Sequence, residues 1–268
     1  MKPGGCLKFY MELIDTHCHL YDPAFAGDID AVIRRALDAG IGRFFLPAVD
    51  RESEDAMLEL EKRYPEFCFA MQGLHPSSVK ADVEEALQHV EQSLAGRRFF
   101  AVGEIGLDFY WDRSFEKEQY RAFHQQIEWA LDLDLPIVIH SRESIEQTIS
   151  VVREHQKGKL RGIFHCFNDD EPSAKRIVEL GFYLGIGGTL TYKNSKLPAA
   201  IKNIGMEHIV LETDAPYLPP VPFRGKRNES SYILYVAEKL AELKGVGVEE
   251  VASMTTANAL NIFFKAKA

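Results

Sequence analysis

Six residues of this sequence pair metal-binding side chains with a recurrent setting at the end of a short apolar run. They are His17 and His19 in IDTHCHL, Glu104 in VGEIGLDFY, His140 in IVIHSR, His165 in IFHCF and Asp214 in VLETDAPYL. Imidazole and carboxylate donors suit Zn²⁺, Mn²⁺ or Mg²⁺, and the share of histidines leans towards the first two. Residues two apart on an extended segment point to the same side, so His17 and His19 can chelate one ion while Cys18 faces away. Glu104 is the natural bridge, because a carboxylate can give one oxygen to each of two ions. The expected division places His17, His19 and Asp214 on one ion and His140 with His165 on the other. Ions about 3.5–4 Å apart can deprotonate a water and stabilise both the attacking and the leaving oxygen of a displacement, so the expected chemistry is hydrolysis. Glu104 and Asp214 are the candidate catalytic groups. Asp214 suits the role of ligand and of base equally well. A lone histidine or HxH pair is as readily a satisfied core residue, and it is the whole set that argues for a centre.

Such a set needs a frame that gathers distant segments. Strand candidates are Leu13–Thr16, Arg43–Pro47, Cys68–Met71, Phe99–Val102, Ile137–Ile139, Gly162–Phe164, Phe182–Gly185 and Ile209–Leu211, brief and apolar as strands buried on both faces should be. Helical patterns lie between them, at Ile29–Ala39, Glu52–Arg63, Val83–Leu94, Phe115–Leu133, Ser144–His155, Pro172–Leu180, Ser195–Ile204 and Ser230–Leu243. Strand followed by helix eight times, with no repeat or low-complexity linker, predicts a single-domain (β/α)8 TIM barrel, with an open doubly wound sheet as the alternative. The barrel is expected over residues 11–265. Residues 1–10 precede a second methionine, Met11, and are expected to form an N-terminal extension. A last helix, Val248–Phe263, is expected on the outside. In a barrel of this kind the active site lies at the C-terminal strand ends, and the six residues stand at five of those ends.

The chain has 268 residues, enough for one such barrel of about 250. With 46% hydrophobic and 26% charged residues, the composition excludes a disordered chain. The net charge of −9 leaves no broad basic footprint for duplex DNA. Cys6, Cys18, Cys68 and Cys166 form no CxxC pair, which suits reduced thiols. No signal-peptide apolar region and no run of membrane-span length is visible, so a cytoplasmic protein without a membrane partner is expected. The sequence carries no sign of oligomeric state.

The runs IDTHCHL, GEIGLDFYW, IHSR, HCF, LETDAPYL and PVPFRGKRNES resemble the TatD family of metal-dependent deoxyribonucleases, within the amidohydrolase superfamily. They occur in the family's order over nearly the whole chain. The resemblance implies a 3′ to 5′ exonuclease acting on ends of single-stranded DNA or another phosphodiester. It also implies two divalent ions (Mg, Mn or Zn) held by the six residues above, and a phosphate contact for His75 in GLHPSS. Two departures stand out: Asn168-Asp169 follows HCF where Ser-Gly is usual, and Ser230 follows RNE where Pro is usual.

Other residues divide between function and packing. A protonated His75 could hold a phosphate, or cap the turn at Pro76. Arg142, Arg224, Lys226, Arg227 and Lys193 could neutralise phosphates or form solvated loops. Phe109, Tyr110 and Trp111 could stack unpaired bases, at about 1–3 kcal/mol each, or simply pack. Cys18 and Cys166 are expected to face the core by strand alternation. Gly185, Gly187 and Gly188 resemble a phosphate-binding run without completing one. His89, His124 and His155 fall in helices and are expected at the surface or in packing. Two other functions fit the sequence: a small-molecule amide, lactone or ester hydrolase of the same superfamily, and a non-catalytic binding protein on a degenerate barrel. A complete ligand set argues against the latter.

Overall fold

Most of the strands are short runs of Ile, Val, Leu and Phe with water on neither face, and that composition sets the architecture. The structure, a computed structural model, describes residues 12–264; the extension expected over residues 1–10 lies outside the described residues. Eight parallel strands alternate with helices: β1 (Leu13–Asp15), α1 (Ile29–Asp38), β2 (Ile41–Leu46), α2 (Arg51–Arg63), β3 (Cys68–Ala70), α3 (Val83–Gly96), β4 (Val102–Asp108) and α4 (Glu116–Asp132). The second half continues with β5 (Ile137–Arg142), α5 (Ile145–His155), β6 (Gly162–Phe164), α6 (Glu171–Glu179), β7 (Tyr183–Ile186), α7 (Leu197–Ile201), β8 (Ile209–Leu211), α8 (Ile233–Lys244) and α9 (Val248–Phe263).

The ladder runs β1-β2-β3 and then β4 to β8 in order. Backbone bonds close both seams. Thr16 N donates to Leu211 O at 3.1 Å between the ends of β1 and β8. Between β3 and β4, Phe100 N donates to Ala70 O at 3.1 Å and Gly103 N donates to Gln72 O at 2.9 Å. The result is the (β/α)8 barrel expected from the alternation of elements.

Two strands differ from expectation by more than two residues at an end. β4 begins at Val102 and runs through GEIGLD, although glycines and acids read as a loop. All seven residues are buried, because the acids face the inside of the barrel rather than solvent. Gly106 is required there: its φ is +145°, and an added Cβ would lie 2.0 Å from the His140 carbonyl oxygen on β5. β5 likewise continues through His140 to Arg142, so Glu104 and His140 sit within strands, not beyond their ends.

The core has two parts. The larger packs the outer faces of the strands under the helices. The smaller fills the floor of the barrel with Ile14, Phe45, Met71, Ala101, Val138, Ile163 and Val210, and Ala259, Ile262 and Phe263 of α9 complete it. Phe263 stacks on Phe45 with ring centroids 3.7 Å apart. The last helix therefore plugs the bottom of the barrel, where the sequence placed it simply outside. Its apolar face matches the open end of a lumen lined by aromatic and branched side chains. No helix of the described residues is long and apolar enough to cross a membrane.

Candidate metal centre

Backbone bonds between strands and the segments that follow them bring the six residues together at the opposite, C-terminal end. Asp214 N donates to the His17 carbonyl at 2.8 Å, and His165 N donates to Ile139 O at 2.9 Å. Glu104 N donates to Ala48 O at 3.1 Å. Asp214 takes a left-handed backbone, φ +57°, a conformation that Asp tolerates better than most residues and that is common at functional sites.

Glu104 is the hub, and its two oxygens face different partners. Oε2 lies 3.1 Å from His17 Nε2 and 3.9 Å from His19 Nε2. Oε1 lies 2.9 Å from His140 Nδ1, 3.5 Å from His75 Nε2 and 3.6 Å from His165 Nε2. Asp214 Oδ1 lies 3.4 Å from His19 Nε2, 3.8 Å from His17 Nε2 and 3.9 Å from His165 Nε2. The His17 and His165 rings stack with centroids 3.4 Å apart, so His165 stands between the two halves.

The far nitrogens determine which rings can offer a lone pair to the centre. His19 Nδ1 is 2.9 Å from the Tyr21 hydroxyl, which itself donates to Pro47 O, so His19 donates there and leaves Nε2 free. His140 Nε2 meets Asp108 Oδ2 at 2.8 Å, leaving Nδ1 free. His165 Nδ1 lies 3.1 Å from Glu212 Oε1 as an ion-pair contact without hydrogen-bond geometry, and its Nε2 faces Glu104 and Asp214. His75 is reversed: its Nδ1 accepts from Ser77 N at 3.1 Å, so the proton sits on Nε2 and points inward. Burial lowers the His75 pKa, so it is a neutral donor rather than the protonated imidazole considered from sequence.

These residues fit a metal ion. Among the described residues both His17 nitrogens are buried without a hydrogen-bond partner, a cost that coordination would remove. Among the described residues four sets place one donor atom per residue within 4.8 Å of one another: His17, His19 and Glu104; His17, His165 and Asp214; His75, Glu104 and His140; and His165, Cys166 and Glu212. Burial would raise the Glu104 pKa, but His17, His165 and His75 outweigh it and hold the carboxyl well below its usual range. Burial likewise opposes charge on His165, yet Glu212, Glu104 and Asp214 push its pKa up to about 10. A field that retains a proton so firmly also favours a cation.

Several supporting groups were not anticipated from sequence. Asp108 and Glu212 stand behind His140 and His165, and Gly185 makes room for Glu212, whose Oε2 would lie 2.2 Å from an added Cβ. Asp15, fully buried, accepts from Thr213 N at 2.9 Å, Thr213 Oγ1 at 2.6 Å and Ser230 Oγ at 2.6 Å. It joins β1 to the segment after β8, and the departure at Ser230 supplies one of its bonds. A visible signal existed: Asp15 and Glu212 each lie two residues before a candidate ligand, on the same side of an extended chain. The departure at Asp169 stays local, its carboxylate accepting from Ser173 Oγ at 3.1 Å at the start of α6.

The remaining candidates sort by contact. Arg142 and Arg224 are exposed, with guanidiniums 3.8 Å over the Tyr110 ring and 3.9 Å over the Tyr192 ring. Lys193 and Lys226 are exposed. Arg227 is tied to Asp28 by bonds of 2.8 and 2.7 Å and braces the loop. Tyr110 and Trp111 are 49% and 68% exposed with Arg142 lying over both rings, whereas Phe109 is buried. Cys18 is a buried core thiol, as alternation predicts. Cys166 is not: it is only half-buried, with its sulfur within 4.8 Å of donor atoms of His165 and Glu212. The physical reason is that β6 ends at Phe164 and Cys166 takes φ +46°, so alternation no longer applies. Gly188 is a packing glycine, since a Cβ would meet Leu218 O at 2.1 Å. His89 bonds Glu54, and His124 pairs with His155 at 2.7 Å, all remote from the centre.

A family model described as TatD related DNase matches residues 14–264. YabD of Bacillus subtilis (strain 168), an uncharacterized metal-dependent hydrolase, is 39% identical over 252 residues, covering 94% of this chain and 98% of its own. The 3′-5′ ssDNA/RNA exonuclease TatD of Erwinia tasmaniensis is 28% identical over 257 residues, covering 94% of this chain and 99% of its own. Among solved structures, the TatD homolog YJJV from Escherichia coli K12 matches with a TM-score of 0.87 at 32% identity, over 94% of this chain and 98% of that one.

Proposed function

This chain belongs to the family of TatD-related DNases and is a metal-dependent hydrolase, and from that premise we propose that it removes nucleotides from the 3′ end of single-stranded DNA by hydrolysing phosphodiester bonds. One observation carries the reading. Glu104 turns one oxygen to His17 and His19 and the other to His140 and His165, the arrangement that a carboxylate bridging two divalent ions requires. His17, His19 and Asp214 would hold one ion and His140 with His165 the other, as Mg²⁺, Mn²⁺ or Zn²⁺. When bound, such ions supply Lewis acidity at the phosphoryl oxygens and lower the pKa of water.

The chain's own groups do the rest. Asp214 sits at the rim side of the centre; burial opposes its charge, but the neighbouring His19, His165 and His17 imidazoles outweigh it and hold the carboxyl below its usual range. It accepts the proton of the attacking water and returns it to the leaving oxygen. His75 directs its Nε2–H at a phosphoryl oxygen, a donor fixed in place before charge develops. Arg142 and Arg224 have no acidic partner among the described residues and neutralise phosphate at the mouth. Tyr110 and Trp111 offer aromatic faces to unpaired bases, which favours single strands over duplex. An overall charge of −9 fits recognition confined to a strand end. The family match over residues 14–264 supports a barrel domain at 11–265, and the free Cys18, Cys68 and Cys166 suit a reducing cytoplasm.

The test is a 5′-labelled oligonucleotide digested with Mg²⁺ or Mn²⁺ and resolved on a denaturing gel. A descending ladder is expected, with protection by a phosphorothioate at the last 3′ linkage and none from the same block at the 5′ end. Internal cuts at early times, or no cleavage beside rapid hydrolysis of an amide, lactone or simple ester, overturns the reading.

A further inference from the structure

The Asp108 carboxylate ends β4 almost without exposure, yet it serves two separate parts of the mouth. Oδ2 accepts from His140 Nε2 at 2.8 Å. Oδ1 accepts from the backbone N–H groups of Tyr110 at 2.9 Å and Trp111 at 3.1 Å. Those amides begin the turn that carries the exposed aromatic pair. Arg142, the register partner of Asp108 on β5, lays its guanidinium over both rings, 3.8 Å from the Tyr110 centroid and 5.1 Å from that of Trp111. The turn is pinned to the same strand again, with Phe109 N donating to Arg142 O at 2.9 Å.

We propose that Asp108 couples the ion at His140 to the conformation of the Tyr110–Trp111 turn, so that metal site and aromatic pair form one thermodynamic unit. The link rests on the reading of His140 as a ligand through Nδ1. A cation there draws electron density from the ring and strengthens the Nε2–H bond to Oδ2. The carboxylate is planar and rigid, so any turn of its plane towards the imidazole changes the angle at which Oδ1 meets the two amides. Asp108 has little freedom to absorb the change otherwise, because its own N–H is held by Gln119 Oε1 at 2.9 Å and its carbonyl by Gln119 Nε2 at 3.1 Å. Linkage is reciprocal: whatever the ion does to the turn, a molecule seated on the turn does to the ion's affinity. Asp108 is thus a positioning residue for two functions that look independent in sequence.

The chain has two tryptophans, and Trp129→Phe leaves Trp111 as the reporter. In that protein, titration with Zn²⁺ followed by calorimetry and by Trp111 emission and anisotropy should show a response that tracks the ion lost in His140→Ala. Asp108→Asn retains an acceptor for the turn but presents an amide donor to His140, which favours the tautomer protonated at Nδ1 and unfit to bind. It should weaken one of two ions by about 10–100-fold, leave the other in place, and abolish the Trp111 response. Unchanged affinity for both ions in Asp108→Asn, or Trp111 emission indifferent to metal, overturns the coupling. Failure to bind any ion overturns the reading of the centre instead. If Asp108→Asn does not fold by circular dichroism, His140→Ala and His19→Ala in the Trp129→Phe protein decide: loss of the response in the first alone supports the link, and equal behaviour rejects it.

Discussion

His17 Nε2 lies 3.1 Å from Glu104 Oε2 in a part of the barrel closed to water, and neither nitrogen of that ring has a hydrogen-bond partner among the described residues. A ring left this way by the protein alone is costly, on the order of 1–3 kcal/mol for each unsatisfied group. With a divalent ion beside it the same geometry becomes favourable. Protein reconstituted with Mn²⁺ should therefore approach two ions per chain by elemental analysis. His140→Ala or His165→Ala should fall towards one, and Glu104→Ala, which removes the proposed bridge, should lose both. Two ions retained in all three variants would discard the assignment.

Asp214→Asn keeps the shape of the side chain but removes a charge and a proton acceptor. Turnover of a chromogenic phosphodiester should drop by about 10²-fold or more. Near-normal turnover in a metal-loaded Asp214→Asn protein would remove this carboxylate from the proton transfer.

Gly106 is held between β4 and the His140 carbonyl, at φ +145° and with 2.0 Å of room for a Cβ. Gly106→Ala should cost more than about 2 kcal/mol in urea unfolding, because the two strands that carry Glu104 and His140 must part. Gly158→Ala is the control: its φ is +83° but nothing lies within 4 Å, so only the backbone penalty of about 1 kcal/mol applies. Equal losses at the two positions would mean that the close approach of the strands is not what selects glycine.

Glu229 receives the Arg35 guanidinium at 2.6 Å. Burial pushes its pKa up, but the hydrogen bonds from Arg35 and Ser231 outweigh this and hold it below the ordinary value of 4.5. A depressed carboxylate contributes stability that is present above its unfolded pKa and lost as pH falls through the folded one. Urea midpoints of wild type and Glu229→Gln should thus differ at pH 7 and converge as pH drops below 4.5. A gap that persists undiminished in acid would show that packing, not charge, makes the difference.

Much of this was legible in the sequence, for a physical reason that also explains what was not. β6 and β8, Gly162–Phe164 and Ile209–Leu211, lie where the apolar runs put them, as does α9 at Val248–Phe263, because burial on both faces or along one stripe leaves a plain hydrophobic pattern. The apolar pattern ends β4 early because Gly103, Glu104, Gly106 and Asp108 interrupt it. Polarity normally marks solvent, and here it marks a lumen. The six donors stand out by chemical type. Asp108, Glu212 and Asp15 do not, since an isolated acid in or just after a strand reads the same whether it meets water or the back of a histidine. Their roles depend on partners distant in sequence, such as Glu212 for His165 and Ser230 for Asp15. The turn at Cys166 escaped for another reason: alternation holds only while the strand lasts.

The floor formed by Phe45, Phe263 and their neighbours bears on traffic through the molecule. A lumen sealed below is a cul-de-sac. On the proposed reaction, a strand cannot thread through the barrel, so the released nucleotide must leave by the doorway its parent strand entered. Each round of cleavage then needs a retreat before the next advance. The enzyme should compete with itself for that exit, and free mononucleotide should slow shortening of the chain more than it slows the first cut.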